Sequence, residues 1–414
     1  MPGMPNFKYV VLQDQNAERR RAAPLERGAG SAVTGTADEL RDHPPALTAY
    51  AVEAPREVES ARRDRNTLEI ARAFPLALIK PFAEPKPAAS SGHAAWGVQE
   101  VGAAADTKVD GEPVTVAILD TGIDPHHPAF ADVPCLCRKN FTSDIEEDDT
   151  NGHGTHCAGT IFGRDVTENG QTTRIGVARG VRRAMVGKVI SKCTGASTDA
   201  LIKAILWARD GGAHVISMSL GFDVPEMMAL LREFYPQEKA ASELLAIFLE
   251  NIRQFDTLLQ YLNVPVQDKV SPLIVAASGN ESKADIEKDP YRISASSPAA
   301  TLGILSVGAL ERAPSGLLRV ASFSNTRVDL AAPGVDVVSA RLGGGLATAS
   351  GTSMACPHAA GVAALVWQRV ISGGLPRTPD IVRSHLLASA KDERIEPGTP
   401  RQDIGVGVPQ APAG

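Results

Sequence analysis

The sequence is organised around the stretch Gly351-Thr352-Ser353-Met354-Ala355-Cys356-Pro357-His358, which leads into an apolar, alanine-rich segment that extends to Val370. A glycine permits the tight turn that often precedes a helix. Proline is tolerated in the first turn of a helix, where its missing N–H leaves no hydrogen bond unmade. The stretch therefore predicts a helix whose N-terminus carries Ser353.

Two interpretations of Ser353 follow from this position. Serine is among the commonest N-terminal helix caps, so its role there is often purely structural. The alternative is chemical, because the unpaired N–H groups and the positive end of the helix dipole favour negative charge. A serine nucleophile and the oxyanion that it generates both require such an environment. This stretch alone does not separate the two interpretations.

Two further segments favour the nucleophile. Residues 114–119 form a continuous apolar run, typical of a parallel strand buried on both faces, and Asp120 follows directly. An acid at the carboxyl end of such a strand lies at the ligand-binding edge of an α/β sheet. His153 begins a second small-residue helix. An acid, a base and a nucleophile thus follow one another as Asp120, His153 and Ser353.

The chain resembles the subtilisin-like serine proteases (subtilases) in three motifs, namely Asp120-Thr121-Gly122, His153-Gly154-Thr155-His156 and Gly351-Thr352-Ser353-Met354-Ala355. The resemblance covers about residues 96–414. It implies an α/β, subtilisin-like three-layer fold with a mostly parallel central sheet, and serine endopeptidase activity. It also implies the roles of the three residues: Ser353 attacks the peptide carbonyl, His153 removes its proton and Asp120 holds the imidazole.

The resemblance implies further site residues. Asn280 matches the amide that donates a hydrogen bond to the oxyanion. The substrate-binding residues implied on one rim are Ser219, Leu220 and Gly221, with Ser297 and Pro298 lining the same pocket. The opposite rim is expected near Gly195, in residues 193–196, where the sequence departs from the usual pattern of the family. Cleavage specificity is therefore not readable.

The chain pattern itself supports an α/β fold. Strand-like runs at residues 114–119, 184–190, 215–219 and 273–277 alternate with helix-like segments that start at His153 and at Asp199. Strands that alternate with helices predict a parallel sheet covered on both sides. A longer segment, at about residues 222–271, carries apolar residues at helical spacing, and we expect it to be a helical insertion.

The first 95 residues predict a separate unit. Residues 1–81 contain a strand, helix and strand pattern that resembles the small α+β propeptide domain of subtilases, which assists folding and blocks the groove. An unrelated small α+β domain is the alternative. Residues 82–95 are rich in Pro, Ala and Ser, the composition of an exposed linker, and residues 96–414 form the peptidase-like part. We expect the enzyme to cut itself in this linker.

Composition excludes several classes of function. The formal net charge of −6 and the pI near 5.9 argue against a nucleic-acid partner, and no apolar run is long enough to cross a membrane. The N-terminal residues lack a Sec signal pattern, and five cysteines are an odd number, which favours reduced thiols over a complete disulfide framework. We therefore expect a cytoplasmic location, with non-classical export left open.

No cofactor is required by the expected chemistry, and no metal site is predicted from the histidines and cysteines. Subtilases commonly bind calcium, but Ala129 stands where the resemblance places a carboxylate ligand, and residues 164–173 replace the usual ligand loop. Calcium from other oxygen ligands stays open. The acidic run from Asp144 to Asp149 is interpreted as a solvated loop, with a cation site or selection of basic substrates as alternatives. Cys356 is expected to pack simply against its neighbours, the alternative being that it tunes the site.

The predicted substrate is a protein or peptide, and the predicted partner is the chain's own N-terminal domain. Two other functions remain open from the sequence. One is a non-catalytic protein that keeps the peptide groove for binding. The other is a processing protease of narrow specificity.

Overall fold

The computed structural model describes residues 6–21, 43–105, 108–191, 195–266 and 269–413. The strands are β1 (Tyr9–Asp14), β2 (Leu47–Val52), β3 (Thr67–Arg72), β4 (Pro75–Leu78), β5 (Ala83–Ala88), β6 (Thr115–Asp120), β7 (Cys135–Asn140), β8 (Val166–Glu168), β9 (Gln171–Thr173), β10 (Arg183–Lys188), β11 (Ala196–Ser197), β12 (Val215–Met218), β13 (Leu220–Phe222), β14 (Leu273–Ala277), β15 (Leu305–Arg312), β16 (Leu318–Val320), β17 (Leu330–Pro333), β18 (Val337–Ala340) and β19 (Leu346–Ser350).

The α-helices of the described residues are α1 (Ala17–Arg21), α2 (Pro55–Arg63), α3 (Trp96–Glu100), α4 (His153–Phe162), α5 (Thr198–Asp210), α6 (Val224–Phe234), α7 (Gln237–Leu262), α8 (Thr352–Ser372), α9 (Pro379–Ser389) and α10 (Arg401–Ile404), and Pro128–Phe130 forms a single 3-10 turn. Within the described part of the chain, none of these helices combines the length and the apolar character that a bilayer-spanning segment needs.

The central sheet has eight strands, in the order β16-β15-β14-β12-β6-β10-β7, with β17 also paired to β15. Its pairs are parallel except that of β15 with β16. On β6, Val116 and Ile118 contribute to one apolar core with α4 and α8, whereas Ala117 and Leu119 contribute to a second core with α5 and α7. The expected α/β fold, with a mostly parallel sheet between two helical layers, is confirmed.

The N-terminal unit is an antiparallel sheet in the order β2-β1-β3, with α2 connecting β2 to β3. Val10 and Leu12 of β1 are fully buried and belong to the same apolar core as Leu201 of α5 and Phe255 of α7. The sheet therefore lies against two helices of the larger unit and buries its apolar face there.

After β3 the chain enters the larger unit. Strand β4 pairs antiparallel with β11 on one side and with β13 on the other. Within residues 82–95, which we expected to be a linker, β5 pairs antiparallel with β19, although its residues Ala83–Pro87 are exposed. The segment from β4 to β5 thus crosses the carboxyl edge of the central sheet.

The segment between β13 and β14 forms two consecutive helices, α6 and α7. Helix α7 is 26 residues long, with Ile247, Phe255 and Leu258 buried and Leu245 exposed. This alternation at a helical period gives α7 one apolar face, which it buries against α6 and the N-terminal sheet.

Candidate active site

The structure brings Asp120 and His153 together. Asp120 ends β6, and His153 is the first residue of α4, after Gly152 in the left-handed conformation that glycine tolerates best. Nδ1 of His153 lies 2.8 Å from Oδ1 of Asp120, and both side chains are about 1% exposed. Burial disfavours the imidazolium, but the carboxylate outweighs that penalty, so the pKa of His153 is raised well above 6.5.

A carboxylate that the sequence did not single out as a site residue holds this pair in place. Asp149 is buried, and its Oδ1 accepts hydrogen bonds from Thr121 Oγ1 and from the N–H groups of Asn151 and Gly152. Its Oδ2 accepts from the N–H and the hydroxyl of Thr155. Asp149 thereby joins the loop after β6 to the first turn of α4, which fixes His153 relative to Asp120.

The acidic run is therefore not uniformly solvated, which corrects that expectation. Ile145, Glu146 and Glu147 are exposed, but the side chain of Asp144 is 8% exposed and its Oδ2 lies 3.1 Å from Nζ of Lys188. The Lys188 ammonium also donates to the carbonyl oxygens of Glu146 and Asp148. A buried ammonium needs such partners, so the loop wraps around Lys188.

Ser353 is fully buried in the first turn of α8, as expected. Pro357, however, lies in the second turn and not the first, so it cannot donate the helical hydrogen bond to the Ser353 carbonyl. Two side chains face that carbonyl instead: Cys157 Sγ at 3.4 Å and Ser219 Oγ at 3.4 Å. The proline thus frees the backbone of Ser353 to be held by the opposite wall of the site.

The hydroxyl of Ser353 donates to the carbonyl oxygen of Ile79, 2.8 Å away. Nε2 of His153 is buried and has no hydrogen-bond partner within the described residues. Cys157 lies next to both residues, with its Sγ 3.8 Å from Nδ1 of His153 and 3.4 Å from the Ser353 carbonyl oxygen. In this state the hydroxyl proton of Ser353 points to the carbonyl of Ile79 in the groove.

Asn280 lies at the end of the loop after β14. Its Oδ1 accepts hydrogen bonds from both the N–H and the hydroxyl of Thr352, at 2.9 Å each. These two donors fix the side-chain amide, so that its Nδ2 points to the groove and donates to the carbonyl oxygen of Lys80 at 2.7 Å. An N–H donor aimed at a peptide carbonyl beside Ser353 is the arrangement that stabilises an oxyanion.

The residues predicted to bind substrate form the wall on which β4 lies. The carbonyl of Ser219 accepts from the N–H of Ile79 at 3.2 Å, and Leu220 and Gly221 pair with Leu78 and Ala77. Hydrogen bonds along an extended backbone of this kind are the usual mode of peptide recognition by β-augmentation.

The other predicted pocket residues lie around this wall. Gly195, in the left-handed conformation, precedes β11 on the opposite rim, while Cys193 and Thr194 lie outside the described residues. The carbonyl of Ser297 accepts from the N–H of Phe222, behind β13, and the bond from Ser297 to Pro298 is cis. Within the described residues, neither Ser297 nor Pro298 shares a backbone hydrogen bond with the segment in the groove.

Several buried side chains surround the site without sharing its hydrogen bonds. Burial lowers the pKa of His156 and of His358 to about 4, so both are neutral and donate to backbone carbonyls. Cys356 Sγ faces Ser217 and the carbonyls of Met218 and Val275, and burial raises its pKa to about 12. It packs away from the imidazole.

Cys157 was not anticipated as a neighbour of the site. Its Sγ lies 3.8 Å from Nδ1 of His153, because α4 places residues four apart on the same face. Burial raises the pKa of Cys157, which keeps it a thiol. Groups of three His, Cys, Asp or Glu side chains can hold a metal ion when their ligand atoms lie close together. Among the described residues, one group meets this condition: Asp120, His153 and Cys157.

The chain is similar in sequence to known proteases. A profile of the subtilase family (peptidase S8) matches residues 111–407. An intracellular serine protease of Paenibacillus polymyxa is 36% identical over 267 residues, which cover 62% of this chain and 68% of that protein. Subtilisin Savinase of Lederbergia lenta is 33% identical over 279 residues, which cover 66% of this chain and 84% of that protein.

A solved structure shows the same fold. Fervidolysin from Fervidobacterium pennivorans, described as a keratinolytic enzyme related to subtilisin, superposes with a TM-score of 0.62 at 20% sequence identity. The alignment covers 98% of this chain and 60% of fervidolysin. With the motifs and the family match, these findings show that the chain belongs to the subtilase family and is a subtilisin-like serine endopeptidase.

Proposed function

We propose that the chain hydrolyses peptide bonds through an acyl-enzyme intermediate, with Ser353 as nucleophile, His153 as general base and Asp120 as the group that orients the imidazole. The observation that carries this proposal is the position of the Ser353 hydroxyl, 2.8 Å from a peptide carbonyl of a strand bound in the groove. The hydrogen bond between His153 and Asp120, also 2.8 Å long, supports the roles of the other two.

The proposal assigns a group to each step. His153 Nε2 takes the hydroxyl proton as Ser353 Oγ bonds to the carbonyl carbon, and Asp120 stabilises the imidazolium that results. The negative charge that develops on the carbonyl oxygen receives hydrogen bonds from Asn280 Nδ2 and the N–H of Ser353. When the C–N bond breaks, His153 returns the proton to the leaving amine, and water then hydrolyses the ester by the same route in reverse.

The N-terminal unit acts in this proposal as an inhibitor of its own enzyme. Strand β4 fills the groove. Just after it, the Ile79 carbonyl accepts a hydrogen bond from the Ser353 hydroxyl, and the Lys80 carbonyl accepts one from the Asn280 amide. A hydroxyl that donates to a carbonyl oxygen is not aligned to attack the carbonyl carbon, and His153 Nε2 has no hydrogen bond to any part of the chain that the structure describes. The bound segment therefore blocks the site without being cut in this state.

Activation requires the segment to leave, and we place the cut within residues 82–95. This part of the chain follows the groove-bound residues directly, and the residues of β5 up to Pro87 are exposed. Exposed segments are where cleavage concentrates. The freed N-terminal unit then leaves the groove, and other protein or peptide substrates take its place.

We propose an intracellular location, in keeping with the name of the relative from Paenibacillus polymyxa. We also propose that activity requires no metal cofactor. Arg164 supports this, because it begins the segment that replaces the usual calcium-ligand loop and its guanidinium donates to the carbonyl oxygens of Asp132 and Val181. Carbonyl oxygens that face a guanidinium are poor ligands for a second cation.

N-terminal sequencing tests the proposal. Wild-type protein, incubated after purification, should lose its first residues and start within residues 83–95, whereas Ser353→Ala should keep Met1. A wild-type chain that digests unstructured casein while it retains Met1 contradicts self-processing. Comparing casein with a peptide library then separates broad from narrow cleavage specificity. A chain that binds peptides but cuts none would be the non-catalytic groove protein.

A further inference from the structure

The helices between β13 and β14 carry aromatic side chains that the hydrolytic steps do not use. Phe74, just before β4, is fully buried, and its ring stacks on Phe222 with centroids 4.7 Å apart. Phe248 of α7 makes an edge contact with the same ring at 6.2 Å, and Phe255 lies behind Phe222 at 6.0 Å. The insertion thus completes an aromatic pocket, and Phe74 fills it.

Two residues before Phe74, the guanidinium of Arg72 binds to carboxylates of α7. Nη2 of Arg72 donates to Glu250 at 2.6 Å, Nη1 donates to Glu243 at 2.8 Å, and Nε donates to Glu250 at 3.0 Å. The guanidinium is 13% exposed, and the two carboxylates are 32% and 30% exposed. Charge-assisted bonds of this fork geometry are stronger and more selective than ordinary surface pairs.

Helix α7 also binds the backbone at this point. The N–H of Arg72 donates to Glu250 at 3.1 Å, and Asn251 Nδ2 donates to the carbonyl of Arg72 at 2.9 Å. At Phe74 the N–H donates to the hydroxyl of Thr198, and the carbonyl accepts from the N–H of Thr198. Contacts to the chain thus run from α7 to Ser353, except at Ala73, whose N–H donates to the Lys8 carbonyl of the N-terminal unit.

We propose that this surface, made of Phe222, Phe248, Phe255, Glu243 and Glu250, is an extension of the substrate groove. Once the N-terminal unit has left, it binds protein substrates that carry an aromatic residue at the place of Phe74 and a cationic residue at the place of Arg72. These places lie five and seven residues before Ile79. The inference rests on the proposed function, because it names the substrate class of that same groove.

The vacated surface dictates the chemistry of its occupant. Departure of the segment exposes the ring faces that Phe74 covers, which favours another large apolar ring. It also leaves two carboxylates on α7 without their guanidinium, which favours a cation and opposes an acidic residue. An extended peptide meets both needs, because the groove supplies its backbone partners at fixed intervals.

Matched fluorogenic peptides test the inference on the full chain after self-processing. Three peptides share the residues around the cut and differ upstream of it. The first carries Arg at the place of Arg72 and Phe at the place of Phe74. The second replaces this Phe by Ala, and the third replaces this Arg by Ala. We expect kcat/KM to fall about tenfold or more for the loss of the ring. The loss of the cation should cost less, about threefold, and this difference should vanish at high salt.

Variants of α7 assign these preferences to the surface. Phe248→Ala should remove most of the preference for the ring, and Glu243→Gln with Glu250→Gln should remove the preference for the cation. Leu245→Ala, on the same helix but 60% exposed, is the control that should keep both. For each variant, the measured quantity is the ratio of kcat/KM for two peptides. The amount of folded enzyme affects both values equally, so a partial loss of folding does not change the ratio.

Two failures remain distinguishable. If the wild-type enzyme cleaves the three peptides equally well, the extended groove is wrong and the endopeptidase assignment stands. If neither the wild-type chain nor Phe74→Ala, in which the segment is held less tightly, cleaves any peptide or casein, the proposed function itself is wrong, and the inference falls with it.

Discussion

The hydroxyl of Ser353 donates to the carbonyl oxygen of Ile79 at 2.8 Å, while Nε2 of His153 has no hydrogen-bond partner among the residues that the structure describes. The hydroxyl that we propose as the nucleophile is thus engaged by the chain's own segment. Under the proposed function, the onset of activity depends on how tightly β4 is held in the groove.

Weakening β4 should shorten the lag before activity. Leu76 is 3% exposed in the apolar core, so Leu76→Asp buries a carboxylate without a partner, at a cost of several kcal/mol to the bound state of the segment. Continuous hydrolysis of a fluorogenic peptide by freshly purified full chain measures the lag. Glu84→Ala, an exposed change in β5, is the control. An unchanged lag in Leu76→Asp would show that the groove segment does not limit activation.

The rate should depend on pH through His153. Because the Asp120 carboxylate raises the pKa of His153 well above 6.5, the imidazole is protonated and unable to act as a base below that raised value. Activity therefore appears as the pH rises, and the acid limb of the kcat/KM profile lies above pH 6.5. Asp120→Asn should move this limb to lower pH and reduce kcat about 10⁴-fold, the order of loss known for subtilisin. A limb that stays in place in Asp120→Asn contradicts this coupling.

Removing the oxyanion donor should affect kcat more than KM. Asn280→Leu deletes the N–H that points to the Lys80 carbonyl, and we expect kcat to fall about 10² to 10³-fold, the loss known for this donor in subtilisin. Steady-state kinetics on a small peptide substrate measures both constants. A rise of KM alone, with kcat maintained, would show that Asn280 only binds substrate.

Asp149 should matter for both stability and activity. Asp149→Ala leaves the buried donors of Thr121 and Thr155 and the N–H groups of Asn151 and Gly152 without their acceptor, at a cost of about 3 kcal/mol. Urea unfolding measures this difference in the free energy of unfolding. Both chains, with and without Asp149→Ala, also carry Ser353→Ala, which prevents self-digestion. Glu146→Ala, exposed in the same loop, should leave stability unchanged. Equal stability of Asp149→Ala and wild type would refute the bracing role.

Chelation should leave the rate intact. Since Arg164 donates to the carbonyls of Asp132 and Val181, we expect EDTA to change neither the rate of peptide hydrolysis nor the melting temperature of the Ser353→Ala chain. Added calcium should restore nothing. A loss of activity in EDTA that calcium reverses would reveal oxygen ligands elsewhere in the chain.

The sequence predicts much of this site, because its signals are local. Asp120 ends an apolar strand, and His153 and Ser353 lie in the first turns of helices preceded by glycine. These local patterns predict a shared site at the sheet edge, and the structure shows the contact between Asp120 and His153. The alternation of strands and helices likewise predicts the parallel sheet, which the structure confirms.

What the sequence does not reveal depends on contacts between distant residues. Asp149 looks like part of a charged, solvated run, and only the folded loop shows that it meets five donors. Cys157 is visible only as one cysteine among five until α4 places it beside His153. The partner strands of β4 and the pocket for Phe74 are likewise set by tertiary packing, which strand propensity does not encode.

Covalent labelling tests the central claim most directly. A fluorophosphonate is added to the chain after self-processing, and mass spectrometry of its peptides locates the adduct. The account predicts one adduct, at Ser353, that Ser353→Ala abolishes and that His153→Ala greatly slows. Peptidase activity without a label at Ser353, or equal labelling in the Ser353→Ala chain, would contradict it.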